Sequence, residues 1–250
     1  MPSANALFAL LALVVVNTKM IRSAIPPLVP FIASSVGYST MQSASLLGAF
    51  FPGYLLTQVP AGWCAQRFGA KLVVTTNIVG TALLFSLIPA MAHRSASPLP
   101  VAGILTAMGL CQGGLIPAEA AIKHEWLAGM HPGKRAWMQG ILGFAHQLCH
   151  LLATWATPRL ASGSGGWTRV CSVYGATAAA AALLWQSFAA SSPSKAAVGR
   201  QTAGKGEAVA AKQKEKPHKV TVEWAVFSTR SVLGIMSCQM AYNVRPHLPQ

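Results

Sequence analysis

Six stretches of this chain run for about 20 residues with scarcely a charge, the length of helix that crosses the roughly 30 Å hydrocarbon layer of a bilayer. They lie at about Ala4–Pro30, Met41–Trp63, Leu72–Ala92, Leu99–Ile122, Ala136–Thr157 and Trp167–Ala190. Lipid offers a backbone no hydrogen bonds, so unbroken runs of this length have one outcome, the α-helix. The links between them, "SSVGYST", "HRSASP", "HPGK" and "SGSGG", carry turn chemistry. Short links make neighbouring helices antiparallel, so the runs predict an all-α, up-and-down integral membrane bundle.

Composition agrees. Only 10% of the residues are charged and 53% are hydrophobic, against roughly 25% charged in soluble domains. Aspartate is absent, and glutamate occurs only at Glu119, Glu125, Glu207, Glu215 and Glu223. A net charge of +14 would suit a nucleic-acid binder, but the distribution argues otherwise. Much of the charge lies in Lys195–Lys219, and the rest marks the ends of apolar spans, where basic residues set topology. With the N-terminus inside, the inner links carry Arg67, Lys71, Lys123, Lys134 and Arg135, and the outer ones Arg94, Arg159 and Arg169. The five cysteines show no paired or zinc-type spacing. No basic residue precedes the first apolar run, which therefore reads as a span rather than a signal peptide.

The chain divides into a six-helix bundle over 1–190, a basic flexible linker over 191–222, and the start of a seventh helix over 223–250. The linker is predicted to be cytoplasmic. From Ser231 to Val244 a helix reaches roughly 21 Å at 1.5 Å per residue, short of a full span, so the seventh helix reads as cut off partway.

Against this layout, several motifs carry a family resemblance. "GWCAQRFGAK" at Gly62–Lys71 resembles the loop between helices two and three of the major facilitator superfamily, G-x-L-A-D-R-x-G-R-K. "GAFFPGYLLTQVPAGW" at Gly48–Trp63, "GLCQGGLIPA" at Gly109–Ala118, the "GGW…YG" of Gly165–Gly175 and "VEWAVFSTRSV" at Val222–Val232 resemble its anion:cation symporter branch. That branch holds sodium-phosphate cotransporters, sialin, vesicular glutamate transporters and plastid anion transporters. The resemblance implies the N-terminal half of a secondary active transporter for phosphate or an organic anion. It also implies alternating access, a small anionic substrate, a sodium or proton coupling ion, contact with membrane lipid and a second transporter half. A half-bundle forms one wall of such a pathway and is expected to be incomplete by itself. The alternative is a non-transporting subunit or regulatory short form that pairs with a full-length transporter. Relatives inhabit plasma membrane, vesicle and plastid envelope. Neither an enzymatic residue set, a phosphate-gripping glycine loop, a cofactor motif nor a metal site is expected.

Candidate site residues follow. Arg22 lies inside the first span, where a lone cation is expensive and ordinarily faces a polar cavity. By resemblance it matches the helix-one arginine that helps bind the anion, and a guanidinium fork suits carboxylate or phosphate. Lys19 either reinforces that positive field or snorkels to an interface. Pro26, Pro27 and Pro30 are read either as a helix break near a binding site or as the end of the helix. Tyr54 and Gln58, four apart, share a helix face and either line the cavity or tie helices together. Gln112 stands where the family often has a proton-coupling glutamate, and Leu105 where some relatives have arginine. Gln147 matches the family's G-A-Q-L-G pattern. Glu119 either pairs with Lys123 at i,i+4 or joins His146 and His150 in a coupling relay. Gly109 and Gly113 form a G-x-x-x-G step for close helix approach. In the link Pro60–Lys71, Gly62 and Gly69 are expected to reverse the chain. Arg67 and Lys71 hold it on the inner side, and the resemblance makes the loop a gate latch in which Gln66 replaces aspartate.

Overall fold

The computed structural model describes residues 4–128 and 130–189. The linker over 191–222, the seventh-helix segment over 223–250, and Glu207, Glu215 and Glu223 lie outside the described residues. Among the described residues seven helical segments follow one another: α1 (Ala4–Val36), α2 (Thr40–Phe68), α3 (Ala70–Arg94), α4 (Leu99–Gln112), α5 (Leu115–Leu127), α6 (Pro132–Ala161) and α7 (Gly166–Phe188). α4 and α5 are halves of one span, parted at Gly113–Gly114. Pro117 has no N–H to give the Gly113 carbonyl, which accounts for the break. α1, α3 and the Leu99–Leu127 span are each long and apolar enough to cross a membrane. α2, α6 and α7 have 29, 30 and 23 residues, about 35–45 Å at 1.5 Å per residue, with more polar side chains.

The helices alternate in direction. At one end Tyr38 Oη donates to the Ser97 carbonyl (3.4 Å), and Trp167 Nε1 donates to Ser35 Oγ (2.8 Å). At the other end Lys71 Nζ donates to the Gln186 carbonyl (2.8 Å) in the last turn of α7, and Trp185 Nε1 donates to the Lys71 carbonyl (3.4 Å). The lysine thus meets the electronegative end of a helix. Among the links, Ser39 and Gln42 form a reciprocal capping box that starts α2.

α1 is the central rod. It packs against α2, α3, α6 and α7 and buries residues around much of its circumference. Outward positions are apolar as well: Leu56, Leu83, Leu151 and Leu183 are all exposed. A polypeptide with apolar residues both inside and outside matches lipid on its outer face, since lipid tails and buried side chains make similar demands.

Two sequence expectations are corrected. First, the helix-one prolines neither break nor end α1, which continues to Val36. They remove the bonds that would reach the carbonyls of Arg22, Ser23 and Pro26, and a membrane helix tolerates this when neighbouring elements surround it. Second, the α2–α3 link is a single residue. α2 runs to Phe68 and α3 starts at Ala70. Gly62 therefore lies within α2 and reverses nothing. Gly69 alone makes the turn, at φ 96 and ψ 139, a region that a side chain rarely enters. Replacing Gly69 with alanine is expected to destabilise the bundle by about 1–3 kcal/mol, seen as a lower Tm in detergent. An unchanged Tm would contradict the strained-turn account.

The G-x-x-x-G step does bring helices together. Gly109 faces the backbone of Phe50 and Tyr54, Gly113 faces Thr57 and the Tyr54 carbonyl, and Gly53 faces Thr106 and Leu110. Thr106 Oγ1 closes the seam by donating to the Ala49 carbonyl at 2.7 Å.

Candidate functional site

Spacing of four places Lys19 and Ser23 on one face of α1, and the same spacing places His146 and His150 on one face of α6. The two faces meet. Lys19 Nζ donates to His146 Nδ1 at 2.7 Å, and Ser23 Oγ lies 2.7 Å from His150 Nδ1. On its far side His146 Nε2 lies 2.9 Å from Glu119 Oε2. Lys123 Nζ lies 2.6 Å from Glu119 Oε1. The result is a continuous line across three helices, Lys19–His146–Glu119–Lys123. With Lys19 donating, His146 uses Nδ1 as acceptor and carries its proton on Nε2, which donates to Glu119. Each group then has its complementary partner with a neutral imidazole.

These residues line a polar cleft of about 460 Å³, together with Gln139, Gly143, Gln147 and His150. Glu119 is buried at 4% side-chain exposure, and Lys123 is one-third exposed. Lys123, Gln139 and the first half of α6 place the cleft in the half of the bundle nearer Gly69. Two lysines and one carboxylate leave it a net positive charge while the imidazoles are neutral. The lining presents ammonium, imidazole and amide groups to that space.

Of the sequence candidates, Gln147, Glu119, His146 and His150 meet here. The Glu119–Lys123 pair is present and Glu119 also contacts His146, whereas His150 pairs with Ser23 instead. Arg22, Tyr54, Gln58 and Gln112 do not line this cleft. Arg22 sits on the adjacent face of α1, with its guanidinium 4.7 Å from the Phe50 ring centroid and 4.8 Å from that of Tyr54. Phe50 and Tyr54 stack at 5.6 Å, and Phe51 lies 5.6 Å from the guanidinium. The aromatic faces hold the cation by its plane. Among the described residues Arg22 has no carboxylate partner.

Gln112 is buried and donates to the Thr18 carbonyl at 3.4 Å, joining α4 to α1. Gln58 is half-buried one turn beyond Tyr54 and makes no hydrogen bond among the described residues. Leu105 is buried beside an apolar void with Ile25, Leu28 and Phe85. In the α2–α3 link, Arg67 lies over Trp63 at 5.0 Å and over Phe68 at 5.8 Å. Gln66 is exposed, and Lys71 is engaged with α7.

Sequence reasoning gave Ser23 and Gln139 no place at the site, and Lys19 only a supporting one. The signal present was the matched i,i+4 spacing of polar residues on α1 and α6, two ladders of equal rung.

Comparison with known proteins adds an independent line. The profile of the Major Facilitator Superfamily matches residues 10–244. Human sialin (Homo sapiens) is 37% identical over 81 residues, 32% of this chain and 16% of sialin. Probable anion transporter 5 of Arabidopsis thaliana is 29% identical over 128 residues, 51% of this chain and 28% of that protein. Vesicular glutamate transporter 1 of Xenopus tropicalis is 38% identical over 79 residues, 32% of this chain and 13% of the relative. The matched stretches thus span less than a third of each of these relatives.

Proposed function

This chain belongs to the Major Facilitator Superfamily and is a multi-pass integral membrane protein, and from that premise we propose that it takes part in moving a small anion across a membrane. One observation carries the reading: an open cleft of about 460 Å³ lined by Lys19, Lys123, His146, Gln139 and Gln147 in a mainly apolar bundle. Cations at membrane depth are expensive and mark substrate pathways. The names of sialin and of the plant anion transporters point to the same class of cargo.

In this reading the anion binds beside Lys19 and Lys123, with Gln139 and Gln147 as neutral donors. Arg22, held over its aromatic rings, adds positive potential from the neighbouring face of α1. Tyr54 belongs to that holder, and Gln112 fixes α4 against α1. A second six-helix half completes the pathway, the halves rock about the site, and a sodium ion or proton supplies the drive. The Arg67–Lys71 turn lies on the cytoplasmic side and serves the inner gate.

Binding tests the reading directly. The full chain in nanodiscs is titrated with inorganic phosphate and with glutamate. Lys19→Ala and Lys123→Ala each remove a charge-assisted bond of about 1.5–3 kcal/mol, so affinity is expected to fall about ten-fold or more. Unchanged affinity in both variants would overturn the cleft as the anion site.

A further inference from the structure

Three buried polar atoms of the core have no hydrogen-bond partner among the described residues: Thr18 Oγ1 on α1, and Asn77 Oδ1 and Thr81 Oγ1 on α3. All three residues are 0% exposed. The other buried polar side chains are accounted for. Asn17 donates to the Leu13 carbonyl, Thr157 meets Tyr174, Gln112 donates to the Thr18 carbonyl, and Glu119 holds Lys123 and His146. A buried polar group that goes without its hydrogen bond is costly, and lipid offers no substitute for it.

Helical pitch brings the three groups to one place. Ile25 of α1, Phe85 of α3 and Leu105 of α4 line one small apolar void. Seven or eight residues make two turns and return to the same helix face. α1 and α3 run in one direction and α4 in the other. Two turns from the void toward the Gly69 end, the same three faces therefore carry Thr18, Asn77 and Gln112. Thr81 lies one turn from Asn77 on its face. Two bonds pin the junction, Gln112 Nε2 to the Thr18 carbonyl at 3.4 Å and Asn77 Nδ2 to the Cys111 carbonyl at 3.0 Å. With its nitrogen engaged by α4, the Asn77 amide presents its oxygen as a bare acceptor.

We propose that Thr18, Asn77 and Thr81 form a built site for one ordered water, which bolts α1 to α3. The water accepts from the two threonine hydroxyls and donates to Asn77 Oδ1. Three bonds are the ordinary complement of a buried water. Side chains four apart on a helix stand about 5–6 Å apart at Cβ, a gap that two bonds of about 2.8 Å bridge. A metal cation fits the same oxygens poorly. Lys19 follows Thr18 directly, Arg22 lies one turn further along α1, and the three side chains offer no carboxylate to offset a third positive charge. The bolt also has a mechanical consequence. The rotation of α1 that sets Lys19 against His146 is held from the α3 side by this water and from the α4 side by Gln112. This holds whatever the polar cleft binds.

Isosteric threonine-to-valine variants of the full chain in detergent test the site, because a dry hydroxyl and a hydrated one respond with opposite sign. Replacing a dry, unpartnered hydroxyl by a methyl removes a buried polar group and raises Tm. Replacing a hydroxyl that holds the water lowers it. Thr18→Val and Thr81→Val are each expected to lower Tm by about 2–4 °C. The double variant is expected to fall no further than either single one, because the first substitution already loosens the water that the second would lose. Wild-type protein supplies a second readout. In synchrotron radiolytic footprinting a held water forms its hydroxyl radical in place. Met108, 0% exposed and one turn from Gln112, is expected to be oxidised in wild type and protected in the double variant.

A higher Tm in both valine variants would overturn the proposal, as would strictly additive losses or an unlabelled Met108 in wild type. A wild-type Tm that rises in sodium chloride over choline chloride at equal ionic strength, with the rise abolished in the double variant, would give the site to a cation and overturn the water.

Discussion

Replacing Gly109 with alanine is expected to force α2 and α4 apart and to cause one of the largest losses of stability that a single added methyl can cause in this bundle. A Cβ there would collide with the Phe50 carbonyl and approach the Tyr54 nitrogen to 2.8 Å. Both obstacles are backbone, so no side chain can rotate away. Gly53 presents the same problem from the opposite helix, against the Thr106 carbonyl and the Leu110 nitrogen. Overpacking a tight core typically costs about 1–3 kcal/mol, and immovable backbone places these sites at the top of that range. Separating the helices also breaks the Thr106–Ala49 bond at 2.7 Å. The Gly53→Ala/Gly109→Ala double variant is therefore expected to lose folded protein altogether.

Gly48 and Gly103 supply the contrast. Each lies in a helix of the same seam, yet an added Cβ would meet nothing within 4 Å. Alanine there should be neutral or mildly stabilising, because glycine is the poorer helix former. Thermal unfolding of the four single variants in one detergent decides the matter. Equal Tm values across all four would refute the seam.

The second large effect is an asymmetry within the ion pair. Lys123→Met is expected to destabilise the bundle by on the order of 2 kcal/mol, whereas Glu119→Gln is tolerated. The carboxylate is buried, with 4% of its side chain exposed, while the lysine is 33% exposed. Without Lys123, a buried anion keeps only His146. Without Glu119, the lysine extends its long stem toward water. The figure lies below that for a fully buried pair because the exposed end is screened. Glu119→Gln introduced into Lys123→Met should restore most of the loss, since a neutral amide requires no counter-charge. A double-mutant cycle by denaturant unfolding measures this. Additive effects, with no rescue, would show that the pair carries no coupling.

Much of the fold was legible because its signals are local. Run length announced each span, and the Gly, Pro and Ser clusters announced most of the turns. The Glu119–Lys123 pair follows from helical pitch alone, as does the shared face of His146 and His150. The prolines misled because a lone helix would stop there, while α1 lies among four neighbours that allow it to continue. The link Pro60–Lys71 misled for a related reason. Its glycines suggested a loop, but only Gly69 adopts a backbone that requires one.

The site was less legible. Arg22 and Gln112 are polar residues within apolar spans, and the sequence says only that each needs polar company. Packing decided the company: aromatic rings for Arg22 and a backbone carbonyl of α1 for Gln112. Lys19 and His146 are 127 residues apart, so no periodicity connects them.

By itself, then, the sequence determined that this chain spans a membrane as a helical bundle, in which order and with which ends charged. Those properties depend on chain segments one span long and on the solvent they must match. Only the tertiary structure decided which faces meet, because the rotation of each helix about its axis is set by contacts with distant segments. That rotation brings Lys19, Glu119, Lys123 and His146 into one cleft.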